Sequence, residues 1–122
     1  MDIKEIKLWD KPWFCAGVVA PGTKVDFQFE YLGTVPISEG VKPIKIGEHE
    51  ISVLNGVRGT CGCTNLQRKG NIVKGSLQID KDYSNLPQRY VDVKKSIEVY
   101  YEDGSSGVLY LSAVADKTLE IA

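Results

Sequence analysis

Two cysteines separated by one glycine, Cys61-Gly62-Cys63, within the run Arg58 to Asn65, are the residues whose types and spacing best suit chemistry. Thiolates are nucleophiles, redox carriers and soft metal ligands. Combined with Cys15 and His49 they would supply three thiolates and one imidazole, the ligand set of a structural zinc, and would use every cysteine and histidine in the chain. The usual grip of two thiolates on one zinc is Cys-x-x-Cys, and a one-residue spacer departs from it. As a redox pair, Cys61 and Cys63 would close a small, strained and easily reduced ring, with Arg58 nearby to favour the thiolate. The competing reading is structural: buried thiols behave as small hydrophobes, and Gly62 admits a bulge or a close backbone approach. His49, between Glu48 and Glu50, is the sole candidate base for a Cys/His nucleophile, and it is expected in a solvated turn. The balance favours a non-enzymatic chain without a cofactor, with a metal or thiol-redox centre at Cys61 and Cys63 as the alternative.

The elements that must position these residues read as β-structure. Lys24 to Tyr31 alternates strictly, Val25, Phe27, Phe29 and Tyr31 against Lys24, Asp26, Gln28 and Glu30, which places four apolar side chains on one face. Phe14 to Ala20 precedes it across Pro21-Gly22, a turn dipeptide, so the two runs are expected to form an opening pair. Ile44 to Ile46 and Ile51 to Leu54 are short strands about a Gly47-Glu48-His49-Glu50 turn, and Asn71 to Asp80 alternates again. Lys94 to Tyr101 and Gly107 to Ala115 flank Glu102-Asp103-Gly104-Ser105-Ser106, the clearest hairpin signal. Only Asp82 to Leu86, before Pro87, suits a helical turn. About seven short strands at intervals of roughly ten residues predict an all-β, immunoglobulin-like antiparallel sandwich, with a barrel as the alternative. Residues 1–12, with Trp9 and Pro12, are expected as an N-terminal arm on a sandwich spanning 13–122.

At 122 residues with a net charge of -1, the chain is a single domain without the electrostatic footprint of a nucleic-acid or anionic-membrane binder. Met1 to Lys7 is charged throughout and lacks the apolar core of a secretory signal, and no apolar run is long enough for a membrane span. Synthesis in a reducing cytoplasm is therefore expected, where an odd count of three cysteines argues against a disulfide framework. The aromatic residues are the remaining resource. Tyr100 and Tyr110 lie on opposite arms of the hairpin, on the face away from Ile97, Val99, Leu109 and Leu111, and suit a protein contact if the second sheet leaves that face open. Trp9, Trp13 and the turn around Asp103 are the other candidate contacts.

Three segments carry a resemblance: Gly17-Val18-Val19-Ala20-Pro21-Gly22-Thr23, then Phe27 to Thr34, then Thr60-Cys61-Gly62-Cys63-Thr64. Together they resemble the bacterial domain-of-unknown-function family numbered 1573, over roughly residues 16–115. The resemblance implies an immunoglobulin-like module close to the Hydin-type domains, with no established catalysis. Where that family usually has an asparagine two residues before the glycine, this chain has Tyr31. A stand-alone module of this type is expected to act as a structural or interaction protein: a subunit, decoration or connector of an assembly such as a bacteriophage virion. Its partners would then be capsid or tail proteins or further copies of itself, and its location the virion.

Overall fold

The computed structural model describes residues 7–59 and 63–120 and is an all-β, immunoglobulin-like sandwich of two sheets. Nine strands are present among the described residues: β1 (Trp13–Val19), β2 (Lys24–Glu30), β3 (Val41–Ile46), β4 (His49–Leu54), β5 (Val57–Gly59), β6 (Cys63–Lys69), β7 (Ile72–Gln78), β8 (Tyr90–Tyr100) and β9 (Ser106–Asp116). One sheet has the order β1-β9-β8-β5-β4-β3 and the other β2-β7-β6. A single 3-10 turn at Lys81–Asn85, capped by the Asp80 side chain on Asp82 N, stands where a helical turn was expected.

Alternation builds the core. Phe27, Phe29 and Tyr31 of one sheet meet Ile97, Val99, Leu109 and Leu111 of the other, with Val73, Leu77 and Ile79 beside them. Phe29, Leu77 and Ile97 are completely enclosed, each contributing about 1.5–3 kcal/mol of burial. The β8–β9 hairpin pairs continuously from Tyr90↔Asp116 to Tyr100↔Ser106, and its turn contains Gly104 at φ 87°.

The expected opening pair does not form. β1 pairs in parallel with β9, whereas β2 pairs antiparallel with β7 in the opposite sheet. The Pro21-Gly22 turn is thus a crossing between sheets, held where Gly22 N donates to Ile79 O at 2.8 Å and Ile79 N to Thr23 O at 2.8 Å. Local turn chemistry is the same for a hairpin and for such an arch; the inter-sheet core decides between them.

Residues 8–12 lie along the sandwich. Leu32 N donates to Leu8 O, and Asp10 N to Glu30 O, so this segment runs beside the end of β2 before the chain changes sheets to become β1. The sheets are also joined by Arg68 of β6, whose side chain is 4% exposed. Its guanidinium donates to Asn55 O at 2.7 Å, Ser38 O at 3.1 Å and Gly70 O at 2.5 Å, and pairs with Glu39 at 2.6 Å. A planar fork of donors suits this arrangement, and an ammonium could not reproduce it.

Candidate protein-interaction face

In β8 and β9 every second residue points away from the core. On β9 these are Val108, Tyr110, Ser112 and Val114, and the register sets Glu98, Ser96, Lys94 and Asp92 of β8 beside them. β1 adds Trp13 next to Tyr110 and Cys15 next to Ser112. The second sheet packs on the other side, so this face is open: Trp13 is 56% exposed and Tyr110 55%. The Trp13 indole N–H donates to Ser112 Oγ at 2.7 Å, which ties the ring across to β9. A groove of about 580 Å³ runs over the face, with Trp13, Cys15, Tyr110 and Ser112 on one side and Asp92 and Lys94 on the other. Side chains of this kind, large and amphipathic on a rigid sheet, supply contact area at low entropic cost.

The charges on this face are balanced. Glu98 accepts from Arg58 Nη1 at 2.7 Å and from the Tyr100 hydroxyl, so that pair is already internal. Partial burial, then the hydrogen bond to Glu98 and its charge, push the Tyr100 hydroxyl up to about 12. Asp92 and Lys94 are exposed and make no ion pair among the described residues.

The residues singled out by sequence fall into separate groups. Trp13 and Tyr110 are neighbours on the open face, and Tyr100 lies farther along β8, half-buried against Glu98. Trp9 does not point to a partner. It packs on Tyr31, ring centroids 5.0 Å apart, and its N–H donates to Tyr101 OH at 3.0 Å. Asp103 likewise makes internal contacts, accepting from Ser105 N and Oγ and pairing with Lys7 Nζ at 2.8 Å. The Lys7 ammonium and then the Ser105 donors hold its carboxyl well below the usual carboxylate range.

The four-ligand zinc set is not assembled. Cys15 is on β1 and His49 on β4, with β9, β8 and β5 between them. Four inter-strand spacings of about 4.8 Å make roughly 19 Å along the sheet, whereas zinc ligands lie about 2 Å from the metal. His49 also differs from expectation in being an exposed strand residue opposite Ile46, because Gly47, at φ 61°, and Glu48 alone make the turn. Cys61 lies outside the described residues, and Cys63 opens β6. Among the described residues no group of three or more His, Cys, Asp or Glu could hold a metal ion.

The two edge strands of the larger sheet, β1 and β3, are unequal. β3 carries Pro43, which has no N–H to offer a new strand, between Lys42 and Lys45. Such an edge is protected against strand addition. β1 carries a bulge between Cys15 and Val18, with Gly17 at φ 76°. Sequence reading missed Ser112, Asp92 and Lys94 as members of the open face. The signal was present, since once the Asp103-Gly104 turn sets the hairpin register, their parity with Tyr110 follows. No helix among the described residues is long and apolar enough to cross a membrane. No family model, curated protein or solved structure matches the chain.

Proposed function

We propose that this domain acts by binding protein, as a structural subunit or decoration of a larger assembly such as a bacteriophage particle. The observation that carries the reading is the outer face of β1, β9 and β8, where Trp13 and Tyr110 stand side by side, more than half exposed, on a rigid sheet. Exposed Trp and Tyr at the centre of a surface are the residue types that dominate interface energetics. A groove over the same face would seat a side chain of the partner beside the indole. The larger-assembly reading adds context of fold and size to this chemistry, and fold alone does not specify function.

The test is co-sedimentation of the tagged chain with the particles of the cells that produce it. The expected result is recovery in the particle fraction, with Trp13→Ala and Tyr110→Ala each lowering recovery while leaving the circular-dichroism spectrum unchanged. Recovery wholly in the soluble fraction as a monomer, or recovery insensitive to both substitutions, overturns the reading.

A further inference from the structure

We infer that the occupant of the open face is a second copy of this chain, docked face to face about a twofold axis lying in the interface. This rests on the binding role of that face and names its partner. An isologous contact requires a surface complementary to itself. The charges meet that requirement: Asp92 and Lys94 are two residues apart on β8, exposed, opposite in sign and without an ion-pair partner among the described residues. A twofold running across the strands between their rows sets each Asp92 against Lys94 of the second copy, and the reverse.

The same operation fixes the rest of the contact. On β9 the rows of Asp92 and Lys94 are those of Val114 and Ser112. These exchange across the axis, small side chain against small side chain. On β1, Cys15 lies in the Ser112 row and Val18 in the Val114 row, so each Cys15 falls opposite Val18 of the other copy. Tyr110, one row beyond Ser112, reaches over the end of the facing sheet where exposed Tyr90 begins β8. Aromatic bulk at one end of the face thus meets, at the other, the Tyr90 ring with the Arg89 guanidinium stacked 4.9 Å from its centroid. A strongly acidic or basic partner would leave one of Asp92 and Lys94 facing a like charge, which disfavours it. A face only three strands wide is modest beside the roughly 800 Å² per partner of a standard interface, so the dimer is weak and concentration-dependent.

The decisive experiment is sedimentation of the full chain from about 10 μM to about 1 mM, since affinities of this class fall in that range. The parent protein is expected to pass from monomer to dimer mass. Asp92→Lys and Lys94→Asp each place like charges across the axis and are expected to weaken self-association by on the order of tenfold or more. An equimolar mixture of the two variants regains the dimer, because the faces are now complementary between chains, and so does the double exchange Asp92→Lys/Lys94→Asp within one chain. Unchanged thermal unfolding of the variants verifies that the fold is intact. A parent protein that is monomeric at the highest concentration, or variants that dimerise as it does, overturns the second copy as occupant. If Trp13→Ala still abolishes particle binding in that case, the face docks a different protein and the broader reading survives. If the substitution has no effect, both fail.

Discussion

The two outward faces of the sandwich are made by the same pleat alternation and carry opposite chemistry. Over β2 and β7 the outward residues are Lys24, Asp26, Gln28, Glu30, Lys74, Ser76 and Gln78 with one part-buried aliphatic, Ile72 opposite Glu30, and Asp26 accepts from Ser76 Oγ at 2.7 Å. Water is a sufficient partner for such a surface. Over β1, β9 and β8 they include Trp13, Tyr110 and Val108, with only Asp92 and Lys94 free to pair. The contrast teaches that one sheet face is solvated by composition while the other carries exposed aromatic side chains, the feature on which the proposed contact rests.

The largest effect that tests this contrast comes from the core both faces share. Phe29→Ala removes a fully enclosed ring and is expected to cost about 3–5 kcal/mol, measured by urea unfolding, and so to disable both faces together. Arg68→Ala comes next, at about 1–3 kcal/mol, because it frees the part-buried carbonyl acceptors of Asn55 and Ser38 that its guanidinium bridges; Arg68→Lys should recover only a small part of that loss. Trp13→Ala is expected to weaken docking by about 2 kcal/mol while changing stability by less than about 1 kcal/mol, read by titration against the partner and by thermal unfolding. On the polar face, Gln28→Ala or Lys74→Ala should stay within about 0.5 kcal/mol and leave docking untouched.

Acid discriminates less between the faces. The carboxyls of Asp103, Asp116 and Glu102 are held low, by Lys7, by Thr118 and by Lys42 respectively as the largest favourable contacts. A depressed folded-state pKa gives stability that is present above the unfolded value near 4 and is lost as pH falls through the folded value. Unfolding midpoints are therefore expected to hold from neutrality to about pH 5 and decline below about pH 4, with Asp103→Asn flattening part of that decline. Tyr100 acts at the other extreme. Its raised hydroxyl pKa means stability complete below about pH 10 and falling as pH rises toward about 12.

Much of this architecture was legible because alternation reports burial directly. Phe27, Phe29 and Tyr31, and Ile97, Val99, Leu109 and Leu111, face inward as their alternation requires, and the Asp103-Gly104 turn joins β8 to β9 as a hairpin. Other features were not legible for identifiable reasons. β5 is three residues long, and β6 has Leu66 as its main apolar side chain and a bulge near Asn65, at φ 55°, so neither shows a period. The partner of β1 could not be read because parallel pairing with β9 depends on contacts across the whole chain. Trp9 was legible as an aromatic and not as an inward one, since its direction depends on Tyr31 and Tyr101. At the candidate face, Trp13 and Tyr110 were visible individually; their adjacency required the β1–β9 register.

That parallel pairing also sets an order of events at the ribosome. β1 precedes β9 by more than eighty residues of synthesis, and among the described residues β1 has no other sheet neighbour. Trp13 must therefore wait, unpaired, until Tyr110 has been synthesised. The surface on which the proposed partner docks is completed only once β9 has been made and paired, and non-local closure of this kind is slow. An assembly that recruits this protein through that surface would by construction receive only copies in which β1 and β9 have already paired.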